Sequence, residues 1–151
     1  MGKILIAYGT NSNGTLFAAQ KVSSVLQSQG HTVDLQEVRN TQVNSLKDYD
    51  LIIFGTNTWF YNKAQGQPHI WFFPFEEEFR KESQSSKKFA IFALGDSSYI
   101  EFCHSADYLE KMVKDMEGNL VTNSLRIDGY YFDEKKNNLL LENWASQLSS
   151  F

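Results

Sequence analysis

Residues 3–15 read "KILIAYGTNSNGT", an apolar run that ends in a loop of hydroxyl, amide and glycine residues. Lys3–Tyr8 has the composition of a buried strand, because apolar residues follow one another without polar alternation. From Thr15 to about Gln29 the positions Leu16, Ala19, Val22 and Leu26 take helical spacing, and Gly30 stands where a C-terminal cap belongs. Strand, polar loop and helix in this order make the first part of a βαβ unit. The loop holds the donors an anion needs, yet it contains no Lys and no Arg.

The same alternation continues along the chain. Thr32–Gln36 alternates Val33 and Leu35, a second strand. Leu51–Gly55 ("LIIFG") and Phe89–Leu94 ("FAIFAL") are strongly buried runs, and "NLVTNSLRI" (Asn119–Ile127) reads as the last strand. Ala106, Leu109, Val113 and Met116 mark one helix face; Leu140, Trp144 and Leu148 mark a closing helix. In "WFFPFEEEF" the aromatics are expected to pack a helix face while the glutamates stay solvated. Continuous apolar strands separated by helices imply a parallel sheet covered on both faces, an α/β fold. The 151 residues show no repeat, linker or composition break, so residues 1–151 are expected to form one domain.

The chain is 42% hydrophobic and 21% charged with a net charge of −4, a composition that fits a globular protein and disfavours nucleic acid and anionic membranes as partners. Its one cysteine cannot make an internal disulfide, and the start of the chain lacks the apolar stretch of a secretory signal, so the expected location is the cytoplasm. The three histidines, His31, His69 and His104, lack partners at metal-ligand spacing, and no metal site is expected.

Ligands of open α/β sheets bind beyond the C-terminal strand ends, so the loops after the buried strands are where function is sought. After the first strand, Thr10, Ser12 and Thr15 bring hydroxyls, Asn11 and Asn13 bring amides, and Gly14 lets the backbone turn. A helix N-terminus binds phosphate without a cationic side chain. The competing reading is that Thr15 only caps its helix within a polar turn. Neither G-x-x-x-x-G-K-[ST] nor G-x-G-x-x-G occurs, which disfavours nucleoside triphosphatases and dinucleotide binders. A phosphorelay receiver would need acidic residues where Tyr8–Gly9 and Gly55–Thr56 stand. The loops "TNTWFYNKAQGQP" and "GDSSYIEFCH" each add rings, Trp59, Phe60 and Tyr61 in one and Tyr99 in the other. Together the three loops suggest a planar ligand with a phosphate tail.

Over essentially its whole length the sequence resembles the short-chain flavodoxins. The most specific part is "GDSSYIEFC" (Gly95–Cys103), supported by "LRIDG" (Leu125–Gly129) and by "NTW" after the third strand. The family's [ST]-x-[ST]-G-x-T loop appears as Thr10-Asn11-Ser12-Asn13-Gly14-Thr15, with the glycine one place late, so Asn13 is expected to take the positive φ. The resemblance implies a flavodoxin-like, doubly wound five-stranded parallel sheet of order 2-1-3-4-5. It implies FMN, with the phosphate on Thr10, Asn11, Ser12, Asn13, Gly14 and Thr15, and the isoalloxazine between Trp59 and Tyr99. Backbone around Thr56, Asn57, Thr58, Leu94, Gly95 and Asp96 would meet the ring edges, with Phe60 beside the tryptophan and Phe102 and Cys103 completing the wall. Cys103 can equally be a small buried hydrophobe.

As function the resemblance implies a low-potential single-electron carrier, a monomer that docks through an acidic rim onto a flavodoxin reductase and low-potential oxidoreductases and has no catalytic residue of its own. The alternatives are an FMN-dependent oxidoreductase acting on a small acceptor such as a quinone, and a non-redox interaction module. A carboxylate about 10 Å from the ring contributes roughly 1.7 kcal/mol at an effective dielectric near 20, or about 70 mV before screening. Here Phe60, Tyr61, Asn62 and Lys63 replace the glycine and acids common in the family after the tryptophan, and Tyr61 could compete for the ring face. A small residue at the Phe60 position lets a peptide flip toward the half-reduced ring, and a bulky one resists the positive φ this can need. Phe60→Gly is therefore expected to raise the yield of the half-reduced form in a redox titration; an unchanged yield would refute this.

Overall fold

The computed structural model describes residues 1–151, the side chain of Ser149 excepted. The first buried run is β1 (Lys3–Tyr8), followed by α1 (Gly14–Ser28) and β2 (Thr32–Glu37). Two 3-10 segments, Val38–Asn40 and Val43–Asp48, lead to β3 (Leu51–Asn57). A short hairpin comes next, β4 (Trp59–Tyr61) and β5 (Ala64–Gln67), then α2 (Phe72–Phe79) and β6 (Lys88–Gly95). The chain closes with α3 (His104–Asp115), β7 (Asn119–Leu120), β8 (Leu125–Asp128) and α4 (Glu134–Ser146).

β1 pairs in parallel with both β2 (Lys3 opposite Thr32) and β3 (Ile4 opposite Leu51), and β3 pairs with β6 (Ile52 opposite Phe89). β7 and β8 both pair with β6, so they share the fifth position of an all-parallel sheet in the implied 2-1-3-4-5 order. The last strand is thus not one run, as the sequence suggested. Val121 still donates its N–H to Phe89 O at 2.9 Å, but residues 122–124 leave the ladder for distant partners: Asn123 O accepts from the Trp144 indole at 3.1 Å and the Ser124 hydroxyl donates to Glu110 Oε1 at 2.6 Å.

Strand side chains alternate between the faces. Ile4, Ile6, Ile53 and Phe92 pack with Ala18, Val22 and Leu26 of α1 and Leu141 and Trp144 of α4. Leu5, Ala7, Ile52, Phe54 and Ile91 pack with Phe72, Phe75 and Phe79 of α2 and Leu109 and Val113 of α3. In α2 Phe72, Phe75 and Phe79 are buried and Glu77 and Glu78 are exposed, as the sequence suggested. Trp71 before the helix is exposed, however, Phe73 is half-buried, and Glu76 is half-buried and accepts from Arg80 and Tyr108. The closing helix differs by one register: Leu140 is exposed and Leu141 is buried with Trp144 and Leu148. Both spacings are helical, and packing against α1 selects the 141–144–148 face.

The hairpin was not foreseen. Its turn residues Asn62 (φ 51°) and Lys63 (φ 64°) are both left-handed, the geometry of a two-residue I′ turn. Asn-Lys is a weaker signal for that turn than Asn-Gly.

Phe54 is fully buried, with ring centroids 5.8, 5.5, 6.2 and 5.6 Å from Phe72, Phe75, Phe79 and Phe89. Phe54→Ala is expected to cost about 3–5 kcal/mol in urea unfolding, and Phe54→Leu clearly less. Equal losses for the two would contradict this packing.

Candidate functional site

The sheet order reverses between β1 and β3, and their two loops open a crevice there. Gly9 donates its N–H to Gly55 O at 3.0 Å, tying the two loop starts together. A side chain at Gly9 would meet His69 Cβ at 2.4 Å, so the loop departs as glycine. Asn13 has φ 67°, the left-handed conformation expected of it, and α1 begins at the next residue. Among the described residues no side chain caps this helix. Thr15 lies inside its first turn, which removes the capping role considered for it, and the first N–H groups of the helix have no intrahelical partner.

A cavity of about 180 Å³ lies over this helix end, walled by Thr10, Asn11, Ser12, Gly14, Thr15, Asn57, Thr58, Leu94, Gly95, Tyr130 and Tyr131. Thr10 Oγ1, Thr15 Oγ1 and Asn57 Oδ1 are buried without a hydrogen-bond partner among the described residues. A buried polar atom left unpaired costs about 1–3 kcal/mol. Three on one cavity wall are a set of groups arranged for something else. No Lys or Arg contributes to that wall.

Thr58 and Gly95 also wall a second cavity of about 350 Å³, with Trp59, Phe60, Gln65, Gly66, Asp96, Tyr99, Glu101, Phe102 and Cys103. Trp59 is held from behind. Its indole N–H donates to Pro68 O at 3.0 Å, and its ring stacks with Tyr61 (5.8 Å, 8°) and His69 (6.4 Å, 12°). Tyr61 also stacks on Phe73 and lines neither cavity. Gly66 (φ 70°) lets β5 approach α3, where a Cβ would meet His104 Cβ at 2.8 Å. Tyr99 is 60% exposed and shares the wall with Trp59.

The loop bearing Tyr99 is fixed at its base. Ser97 donates its N–H and hydroxyl to the Asp128 carboxylate at 2.9 and 2.5 Å, and Ser98 N–H reaches Asp96 Oδ1 at 2.8 Å. Cys103 is fully buried with φ 50°, and burial pushes its thiol pKa up to about 12, so it stays protonated at neutral pH. Its thiol lies 3.5 Å from Ala93 O, and Arg126 Nη1 donates to its carbonyl at 2.6 Å. Burial also lowers the pKa of His69, which favours the neutral ring. His104 is exposed at the start of α3.

The Flavodoxin family model matches residues 6–139. The chain belongs to the flavodoxin family. It is 32% identical over 130 residues to a flavodoxin of Maridesulfovibrio salexigens, covering 85% of this chain and 88% of that one. The structure of oxidised flavodoxin 2 from Bacillus cereus superposes with a TM-score of 0.86 at 28% identity, covering 95% of each chain. Fusobacterium nucleatum flavodoxin bound to flavin mononucleotide has a TM-score of 0.80, covering 98% of this chain and 97% of that one; at 16% identity it speaks for the fold alone.

Of the residues singled out from the flavodoxin resemblance, all but Asn13 and Thr56 line one of the two cavities. Asn13 contributes the left-handed backbone turn before α1. Thr56 is fully buried, and its hydroxyl accepts from His69 N–H at 2.8 Å, so its side chain braces the loop. Gln65, Gly66, Glu101, Tyr130 and Tyr131 are wall residues that sequence reasoning missed. The two tyrosines follow "LRID", and extending the rule of strand ends to this last strand would have found them.

The Ser97 hydroxyl first, and then its N–H, hold the Asp128 carboxyl below the usual carboxylate range. A depressed native pKa gives stability that is present above the ordinary Asp value, about 3.9, and lost as pH falls through the lower native value. Asp128→Asn is therefore expected to speed amide exchange at Ser97–Tyr99 at pH 7, with the difference from the unmodified chain shrinking well below pH 3.9. Equal exchange at pH 7 would remove the tie from the account.

Proposed function

We propose that this flavodoxin-family chain binds FMN non-covalently across the two joined cavities and carries single electrons from a flavodoxin reductase to low-potential oxidoreductases. The observation that carries this reading is the set of orphaned atoms of Thr10, Thr15 and Asn57 at the N-terminus of α1, beside a slot walled by Trp59 and Tyr99. The Fusobacterium nucleatum relative, bound to flavin mononucleotide, adds support by fold.

The residues fit the cofactor. The hydroxyls of Thr10, Ser12 and Thr15, the Asn11 amide and the backbone from Asn13 to Thr15 would take the phosphate. The helix dipole supplies the charge complement that a lysine would otherwise bring. Asn57, Thr58, Leu94, Gly95 and Asp96 would meet the ribityl chain and ring edges. Bound FMN supplies one-electron chemistry. Trp59, braced by Pro68, Tyr61 and His69, offers one rigid face, and Tyr99 offers another while keeping water from the ring. Phe60 and Phe102 extend the apolar wall. Asp96, Glu101 and Asp128 make the surround negative, which disfavours adding an electron and keeps the potential low. The protonated, buried Cys103 serves as packing beside the slot.

The buried lone cysteine suits a reducing compartment, and the reading places a monomeric carrier in the cytoplasm. Titrating the apoprotein with FMN should quench flavin fluorescence at one equivalent, with riboflavin binding about tenfold or more weakly, a difference of at least ~1.4 kcal/mol. Reductive titration should then proceed in two one-electron steps. A chain that ignores FMN would overturn the reading, and fast quinone turnover with a nicotinamide donor alone would favour an oxidoreductase instead.

A further inference from the structure

Tyr131 belongs to no strand, and nothing in the composition of the phosphate loop points to it. It stands on the turn after β8, at the far edge of the sheet from β2, yet its hydroxyl donates to Ser12 O at 2.5 Å across 119 positions of chain. The turn that carries it is rigid. Gly129 takes φ 56° and donates its N–H to Gly95 O at 2.8 Å. The Asn137 side-chain amide, 3% exposed, donates to the carbonyls of Asp128, Gly129 and Tyr130 at 3.4, 3.2 and 3.2 Å. Tyr130 is buried, with its hydroxyl on Asn138 Oδ1 at 2.9 Å. The Tyr131 ring is held edge-on between Tyr130 (5.4 Å, 75°) and Phe17 of α1 (6.5 Å, 85°).

Its position matters to the phosphate loop in two ways. A Cβ on Gly14 would lie 3.5 Å from the Tyr131 ring, so the tyrosine covers the first residue of α1 from outside while lining the cavity wall. A bare carbonyl oxygen beside a bound phosphate would repel it. The tyrosine hydroxyl engages the Ser12 carbonyl, and a planar trans peptide then fixes the Asn13 N–H in the opposite direction. The left-handed turn at Asn13 is held on one side by α1, through Phe17 N–H to Asn13 O at 3.0 Å, and on the other by Tyr131.

We infer that Tyr131 is a positioning residue of the phosphate site: its bond to the Ser12 carbonyl holds the loop in its anion-binding form and gives the chain its preference for a phosphorylated flavin over the unphosphorylated one. This rests on the FMN reading above. Tyr131→Phe keeps the ring and removes the hydroxyl. It is expected to weaken FMN binding about five- to tenfold and leave riboflavin within about twofold, so that the FMN-to-riboflavin ratio falls. Tyr131→Leu, which also removes the ring, should lower the ratio at least as far and speed FMN release in stopped flow. Equal weakening of both flavins with a lowered apoprotein Tm would mark a merely structural tyrosine and overturn the inference, as would an unchanged ratio. If the unmodified chain fails to bind FMN, the FMN reading itself fails. Inorganic phosphate then decides on Tyr131: thermal stabilisation by phosphate that is reduced in Tyr131→Phe supports the role, and equal or absent stabilisation overturns it.

Discussion

The pairing of β1 with β2 on one side and β3 on the other is the constraint on which the remainder depends. A central first strand forces the following connections to opposite faces of the sheet. The loops after β1 and β3 then diverge and leave an open crevice between them. Burial on both faces explains why β1, β3 and β6 read as unbroken apolar runs. It also explains why the polar residues of the site gather at and beyond the strand ends, with Thr56 and Asn57 closing β3 and the others in the loops that follow.

The loops so placed are not independent. Each is tied down by a contact outside its own turn, nine to 119 positions along the chain. Gly9 N–H joins Gly55 O, Thr56 Oγ1 holds His69 N–H, and Trp59 hangs from the Pro68 carbonyl. Asp128 secures the Tyr99 loop through Ser97, and Tyr131 reaches the β1–α1 loop at Ser12. Such ties lower the entropy that a ligand must remove on binding, which matters most for a cavity whose wall carries no cation. The orphaned oxygens of Thr10, Thr15 and Asn57 fit this view, since they are the groups the ties leave unpaired.

Much of this was legible beforehand because it depends on local chemistry. β1 was read with its observed ends, since continuous apolar residues bounded by a glycine loop admit little else. The positive φ of Asn13 was legible from its place in the loop motif and from the tolerance of asparagine for that conformation. The split of the last strand was not, because the partners that meet Asn123 and Ser124 at the break, Trp144 and Glu110, lie on helices well away in the chain. The bond from Tyr131 to Ser12 was not legible for a different reason: the two residues lie 119 positions apart.

By itself the sequence determined the alternation of strand and helix, the two-faced core, the family and the chemistry of three loops. The alternation and the core follow from periodicity and glycine placement, the loop chemistry from residue type and the family from resemblance in short motifs, all of which act over a few neighbouring positions. Only the tertiary structure decided which face of α4 is buried, that Thr56 and Tyr61 brace the site from outside it, and that a tyrosine from the last turn closes on the first loop. Those outcomes depend on which distant segments meet, and that is set by how the sheet stacks its strands rather than by any local preference.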